Sequence, residues 1–218
     1  MASSEVKRKL LFVVPALLVL ALGSTFIALP SLHRSKTPVR SLPSLEGTVV
    51  VRIGYGSDLC AELCGRLAEL SATVISYDEI PSLVTLNECT FLEIDDVYVE
   101  LNSRLTILFD GVWLENHYND TKTLEFIREV GLKGCKLVAV GGATSKLYPY
   151  AVILAGLKQV PPDMTAEEWA DLDRQPDFPL IGFRLKVAEG PEGQYMYPSI
   201  LCSNTTDIDE LIEALINW

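Results

Sequence analysis

Residues 48–58 read TVVVRIGYGSD, and this stretch predicts how the fold begins. The β-branched run at residues 48–53 is typical of a buried strand, and Gly54-Tyr55-Gly56 ends it with a tight turn. Ser57 and Asp58 then provide the N-terminal cap of a helix that extends to Leu70. The stretch therefore predicts a strand, a tight turn and a helix in direct succession, with a buried helix face formed by Leu59, Leu63, Leu67 and Leu70.

Strands and helices continue to alternate along the chain. Strand-like apolar runs lie at residues 73–76, 104–109 and 136–140, and helices are predicted at residues 120–130 and 144–157. Strands that are apolar on both faces and alternate with helices are typical of a parallel sheet between two helical layers. We therefore predict a three-layer α/β domain with a mainly parallel sheet.

The end of the chain departs from this alternation. Residues 180–187 and 194–202 are both strand-like and flank a glycine-rich turn, which predicts an antiparallel hairpin at one edge of the sheet. A closing helix is predicted at residues 207–217, with its cap near Thr206. Residues 81–101 are harder to place, although the sequence VYVEL within them is typical of an edge strand or a hairpin arm.

The strand RLTILF, the Asp110-Gly111 turn, the next helix and the strand KLVAVGGA resemble the class I glutamine amidotransferase and ThuA-like superfamily. The resemblance covers residues 104–157 and implies a flavodoxin-like or Rossmann-like sheet. In that superfamily a cysteine or another nucleophile lies on the sharp turn after such a strand. The matching positions here are Gly142, Ala143 and Thr144, and the lack of a cysteine speaks against amidotransferase chemistry.

A second decisive segment is the uncharged run at residues 10–30, LLFVVPALLVLALGSTFIALP. As a helix it would span about 31 Å, which suits the hydrocarbon core of a bilayer. The alternative is a cleaved signal peptide with Ala21-Leu22-Gly23 as its cleavage site. We favour an uncleaved transmembrane signal anchor because the apolar run continues through residues 26–29, past that site.

This segment divides the chain into four predicted parts: a basic flank at 1–9, the anchor at 10–30, a Pro/Ser-rich stalk at 31–47 and one globular domain at 48–218. Basic residues on both sides of the anchor leave its orientation undecided by charge. The acceptor sequons at Asn119 and Asn204 are candidate glycosylation sites, and they favour a domain outside the cytoplasm.

Charge is divided unevenly along the chain. Residues 1–40 hold six Lys/Arg and one acid, whereas the remainder holds 12 basic and 28 acidic residues, a net charge of −16. Such a surface repels phosphate backbones, and the sequence has no basic stripe with interleaved aromatic residues. We therefore exclude nucleic acid as a partner and expect the lipid bilayer, through residues 10–30, and proteins at the membrane.

The candidate catalytic residues are Asp110, Glu115 and His117, because this segment leaves the carboxyl end of a predicted central strand, where open α/β sheets bind ligands. The structural alternative carries more weight: Asp110 braces the turn, Gly111 supplies a positive φ, and Glu115 and His117 are solvated. A serine triad with His117 is disfavoured because the chain lacks a G-x-S-x-G motif.

Two glycine-rich turns are candidate ligand-binding sites, because N–H groups at the start of a helix attract anions. The first contains Gly54, Gly56 and Ser57, and the second contains Gly141, Gly142 and Thr144. The first lacks the third glycine of G-x-G-x-x-G, and the second lacks the GK[ST] ending of a P-loop. A structural turn with a helix cap is the favoured interpretation of both.

The five cysteines, Cys60, Cys64, Cys89, Cys135 and Cys202, are candidates for disulfides. Two disulfides and one free thiol would suit an exported domain, whereas buried thiols would suit a cytosolic one. No Cys/His spacing predicts a metal site, and no cofactor is predicted.

The sequence therefore predicts a single-pass, membrane-anchored α/β domain that is a binding or assembly module without a catalytic centre. One alternative is a membrane-tethered hydrolase or transferase with an amidotransferase-like fold, using Asp110, Glu115 and His117. Another is a structural subunit of a surface filament or envelope complex.

Overall fold

The computed structural model describes residues 42–86, 89–94, 97–147, 149, 176–190 and 193–218. The predicted flank at 1–9 and the predicted anchor at 10–30 lie outside these residues. Among the residues that are described, no helix is long and apolar enough to cross a membrane. The compact unit begins at Leu42, so the last six residues of the predicted stalk belong to it. Leu45 is buried, and its N–H donates to the carbonyl oxygen of Leu70 at 2.7 Å.

Nine strands are present in the described part of the chain: β1 Val49–Ile53, β2 Thr73–Tyr77, β3 Leu83–Leu86, β4 Cys89–Ile94, β5 Val97–Glu100, β6 Thr106–Asp110, β7 Lys136–Val140, β8 Leu180–Gly190 and β9 Gly193–Ser203. The helices whose bounds lie within the same part are α1 Asp58–Glu69, α2 Gly111–His117, α3 Thr121–Leu132 and α4 Ile208–Asn217, and a 3-10 helix lies at Thr144–Lys146.

The main sheet has six strands in the order β2-β1-β6-β7-β8-β9. Its first four strands are parallel, and β8 and β9 are antiparallel to their neighbours. This confirms the prediction of mixed α/β structure with a mostly parallel sheet, and the terminal hairpin lies at one edge of it. We call the edge where the parallel strands begin the amino edge and the opposite edge the carboxyl edge.

Strand side chains alternate between two apolar clusters on the two faces of this sheet. Val51, Ile107 and Phe109 contribute to one cluster, together with residues of α2 and α3. Val50 and Leu108 contribute to the other, together with residues of α1 and α4. The helices therefore pack on both faces, as the doubly apolar strands predict.

Three strands from the segment that was harder to place, residues 81–101, form a separate antiparallel sheet in the order β3-β4-β5. The sequence VYVE is its strand β5. In β4, Leu92 is fully buried and joins the core cluster, whereas Tyr98 of β5 is exposed and makes an edge-to-face contact with Phe91. The sheet is thus partly buried, which explains why the sequence of its strands shows only weak alternation of apolar and polar residues.

Two helix starts differ from the sequence predictions. The helix predicted at residues 144–157 opens as a 3-10 helix, Thr144–Lys146, and most of its remainder lies outside the described residues. Helix α4 is capped by Asp207, because the Oδ1 atom of Asp207 accepts from the Glu210 N–H at 3.1 Å. The predicted cap near Thr206 is therefore displaced by one residue.

Candidate functional site at the carboxyl edge

The candidate site lies where the strand order reverses. The chain goes from β1 to β2 on one side, and β6 then pairs with the other side of β1. Open α/β sheets bind ligands in the crevice outside the carboxyl ends of the strands at such a switch point. Here the loops that follow β1, β6 and β7 come together, so both glycine-rich turns and Asp110 belong to one cluster.

The carboxylate of Asp110 is at the centre of this cluster and is fully buried. Its Oδ2 atom accepts from the Ser57 N–H at 2.9 Å. Its Oδ1 atom accepts from the N–H groups of Val112 and Trp113 at 3.0 and 3.4 Å, so Asp110 also caps helix α2. One side chain therefore binds the start of α2 and the start of α1 together.

Arg52 supplies the positive charge that faces Asp110. Its Nη2 atom lies 3.4 Å from the Asp110 Oδ2 atom, and its Nε–H donates to the Gly54 carbonyl oxygen at 3.1 Å. The guanidinium carbon lies 4.5 Å from the centre of the Tyr55 ring. A buried ion pair is tolerated only when its members are well hydrogen-bonded, and this pair meets that condition. Sequence reasoning did not identify Arg52, although an arginine within an apolar strand was the signal.

The glycines of the three loops are in direct contact. A Cβ atom at Gly111 would lie 1.5 Å from the Gly141 carbonyl oxygen, and one at Gly141 would lie 2.0 Å from the Ser57 Oγ atom. Gly141 and Gly142 both have positive φ. The prediction of a positive φ at Gly111 is wrong, because Gly111 is the first residue of helix α2 and has a helical backbone. The Ala143 N–H donates to the Gly111 carbonyl oxygen at 3.3 Å. The backbones of these loops therefore fill the crevice at this point.

Helix α2 separates the three candidate catalytic residues. Asp110 is the N-cap residue of this helix, whereas His117 is its last residue. The His117 ring stacks on Trp113 with 4.3 Å between centroids, and its Nδ1 atom is 2.8 Å from the Trp113 carbonyl oxygen. Glu115 is exposed, and residues two apart on a helix do not face each other. The structure therefore does not bring Asp110, Glu115 and His117 to one point.

Thr144 and its neighbours are tied to the segment that precedes β8. The Thr144 hydroxyl donates to the Phe178 carbonyl oxygen at 2.7 Å, and the Ser145 N–H donates to the Asp177 Oδ1 atom at 2.9 Å. Lys146 is buried, with its Nζ atom 4.1 Å from the centre of the Tyr118 ring. These polar groups hold the loop after β7 in place.

The cysteines are all free thiols in the structure. Cys60, Cys64 and Cys135 are buried, whereas Cys89 and Cys202 are exposed. A hydrogen bond between the Cys60 and Cys64 side chains, together with burial, raises the pKa of Cys60 above its usual range. Burial raises the pKa of Cys135 to about 12. Neither thiol is therefore activated as a nucleophile.

Both predicted glycosylation sites are on the surface. Asn119 lies in the turn between α2 and α3, and Asn204 follows β9 at the carboxyl edge. Both side chains are exposed. The geometry therefore leaves both sequons open to modification.

Within the described ranges, no group of three or more His, Cys, Asp or Glu residues is arranged to hold a metal ion. Comparison with protein-family models, with curated proteins and with solved structures found no match for this chain. Chemically, the site is a buried carboxylate that accepts from three backbone N–H groups and one guanidinium.

Proposed function

We propose that this chain is a single-pass, membrane-anchored protein with a domain outside the cytoplasm that is a non-catalytic binding or assembly module. The anchor is residues 10–30, whose uncharged length suits a bilayer core. The exposed sequons at Asn119 and Asn204 support an exported domain.

The hydrogen bonding of Asp110 is the main observation that supports a module without catalytic activity. The N–H groups at the starts of α1 and α2, where an open α/β sheet would receive an anion, donate to the protein's own carboxylate. A ligand anion would have to displace a buried side chain that is also paired with Arg52. The switch point thus stabilises the fold, and partners are expected on other surfaces.

The strand order supports a flavodoxin-like sheet as part of this proposal. Counting only the parallel strands along the chain, their order in the sheet is second, first, third and fourth. Flavodoxin-like sheets have this order. The fold class does not decide function, because such sheets support many unrelated activities.

Translation of the full chain with sealed microsomes tests the topology. We expect two glycans, on Asn119 and Asn204, and their loss one at a time in the Asn119→Gln and Asn204→Gln variants. A chain that enters the membrane fraction without any glycan, and whose domain is digested by added protease, would contradict the proposed orientation.

Crosslinking in membranes tests the absence of catalysis against the hydrolase or transferase alternative. The full chain and a Glu115→Gln/His117→Asn variant are crosslinked in native membranes, and the co-purifying proteins and bound small molecules are both quantified by mass spectrometry. A binding module should recover the same partners in equal amounts with both chains. If the variant instead accumulates a covalent or tightly held small molecule that the wild type turns over, the catalytic alternative is correct.

A further inference from the structure

The small β3-β4-β5 sheet has one face in the core and the other towards solvent. Leu92 is fully buried, and its cross-strand neighbours Leu83 and Val99 pack against the same core cluster. Side chains alternate between the two faces along a strand. Phe91 and Glu93, one residue to either side of Leu92, therefore lie on the opposite face, which is called the outer face below.

The outer face places an aromatic ring beside a carboxylate in each of two neighbouring rows. Phe91 of β4 is directly opposite Glu100 of β5, and Glu93 is directly opposite Tyr98. Residues that are directly opposite have Cβ atoms about 4.5–5.5 Å apart, so each carboxylate is next to a ring. The two rings make an edge-to-face contact with 6.3 Å between centroids. These four residues, Phe91, Glu93, Tyr98 and Glu100, are called the ring–carboxylate patch.

The patch is open to solvent, and its acids are unpaired. Tyr98 is 48% exposed, Glu100 is exposed, and Phe91 and Glu93 are half-buried. Neither glutamate forms an ion pair in the part of the chain that the structure describes. The two carboxylates and the Tyr98 ring are therefore available to a group from outside the domain.

The sequence around the patch has no positive charge of its own. Residues 67–103 contain no lysine, arginine or histidine, but they contain eight acids: Glu69, Asp78, Glu79, Glu88, Glu93, Asp95, Asp96 and Glu100. Arg104 is the first base after the patch, and it forms no ion pair with Glu100. A cation that binds the patch therefore has to come from a partner.

A guanidinium suits a ring beside a carboxylate better than other cations do. Its planar group stacks on an aromatic face and donates two parallel N–H bonds to a carboxylate, whereas a lysine ammonium is a compact and strongly hydrated point charge. The two rows of the patch are two residues apart along β4, a distance of about 7 Å. Alternate residues of an extended peptide have the same spacing.

We propose that the ring–carboxylate patch binds an extended Arg-x-Arg segment of a protein partner, with one guanidinium at each row. The inference deepens the proposed binding role and rests on it. The domain's charge of −16 attracts any basic segment at long range, but only the rings distinguish arginine from lysine at close range. The patch therefore provides the specificity of binding.

Binding of a synthetic peptide to the full chain in nonionic detergent micelles tests this inference independently of the membrane anchor. The probe is acetyl-Ser-Arg-Thr-Arg-Ser-amide with a fluorescent label, and anisotropy gives its Kd. The patch variant is Glu93→Gln/Glu100→Gln. Glu125→Gln/Glu129→Gln on α3 is the matched control, because both residues are exposed and the change in net charge is the same.

We expect the patch variant to weaken peptide binding about tenfold, and the control variant less than about twofold. Tyr98→Ser should weaken it about threefold through loss of the ring, whereas Tyr98→Phe should keep the wild-type Kd. A peptide with lysine in place of both arginines should bind severalfold more weakly to the wild-type chain.

Three results would overturn the inference. They are a lack of saturable peptide binding, equal losses in the patch and control variants, and displacement of the peptide by free choline, which would make the patch a site for a lipid headgroup. None of them would contradict the proposed binding module, because its partners are recovered separately by crosslinking in membranes. Turnover of a small molecule in that crosslinking experiment would refute the proposed function, and the inference would fall with it.

Discussion

At the scale of single residues, the Arg52–Asp110 pair decides whether the carboxyl edge stays ordered. Three loops meet at this pair, and the Asp110 carboxylate accepts hydrogen bonds from both α1 and α2. Removing one member of a buried ion pair is far costlier than removing both, because an unpaired charge remains. The two side chains are thus expected to act as a unit.

The Asp110→Asn substitution should lower the free energy of unfolding by about 3 kcal/mol, because the neutral amide leaves the buried Arg52 without a counter-charge. Denaturant unfolding of the full chain in detergent micelles measures this loss. The exposed Glu115→Gln substitution is the matched control and should change stability by less than about 0.5 kcal/mol. Equal losses in both variants would show that Asp110 does not brace the site.

An Arg52→Met/Asp110→Asn double variant extends this test. We expect its loss of stability to be smaller than the sum of the two single losses, because no buried charge remains uncompensated. Strict additivity of the three unfolding free energies would mean that the two residues stabilise the domain independently.

Gly111 tests the close packing of the loops at the level of one methyl group. The Gly111→Ala substitution places a Cβ atom 1.5 Å from the Gly141 carbonyl oxygen, and we expect a loss of about 2–4 kcal/mol from the forced backbone shift. Gly65 in α1 is the control, since a Cβ atom there meets nothing within 4 Å. Gly65→Ala should instead stabilise the helix by about 0.5–1 kcal/mol. Thermal unfolding of both variants measures these changes. A neutral effect of Gly111→Ala would contradict the close contact between Gly111 and Gly141.

At the scale of elements, the contact between β7, β8 and the end of α4 contains a half-buried lysine. The Lys136 Nζ–H donates to the Leu215 carbonyl oxygen at 2.8 Å and lies 5.7 Å from the centre of the Trp218 ring. Burial, with the positive charges of Arg184 and Lys186 adding to it, lowers the pKa of Lys136 from 10.5 to about 8. The folded state therefore binds this proton less tightly than the unfolded chain.

A pH series follows from this pKa. Between pH 8 and 10.5 the unfolded chain binds more protons at Lys136 than the folded domain does, so this group's contribution makes stability rise with pH. Across the window the rise should amount to about 1–3 kcal/mol. The Lys136→Met variant should lack this contribution. Denaturant unfolding of the wild-type and Lys136→Met proteins at several pH values gives the unfolding free energy as a function of pH. If the two proteins had the same pH dependence, the proposed contribution of Lys136 would be contradicted.

Elements with a clear apolar period were predictable from the sequence. Strands β1, β6 and β7 and helices α1 and α3 lie within one or two residues of their predicted positions, because each buries a continuous face. The β3-β4-β5 sheet was not predictable as a separate sheet, since short half-buried strands have weak alternation. This sheet depends on which strands pair with each other, and the hydrophobic period of a segment does not show its pairing partner.

The site was predictable only in part. The position of Asp110 in the sequence predicts that it lies at the carboxyl end of a central strand, and its place before Gly111 favours a turn-bracing role. Its pairing with Arg52 could not be inferred, because the two residues are 58 positions apart and meet only through the β1–β6 register. The separation of His117 from Asp110 depends on where α2 ends.

At the scale of the whole molecule, the proposed function depends on the first 41 residues as much as on the domain. The domain beyond residue 40 has a charge of −16, whereas residues 1–40 are basic and contain the apolar segment at 10–30. Such a segment prefers hydrocarbon to water, and charged residues at its centre oppose insertion by about 2.5–3.5 kcal/mol each. The anchor is therefore the part of the proposal that can be tested most directly.

Alkaline carbonate extraction of membranes that contain the full chain is that test. We predict that the wild-type chain stays in the pellet, whereas a Leu18→Arg/Leu20→Arg variant is released and a Leu18→Ala/Leu20→Ala control remains. Release of the intact wild-type chain into the supernatant would contradict the membrane anchor, and with it the proposed function.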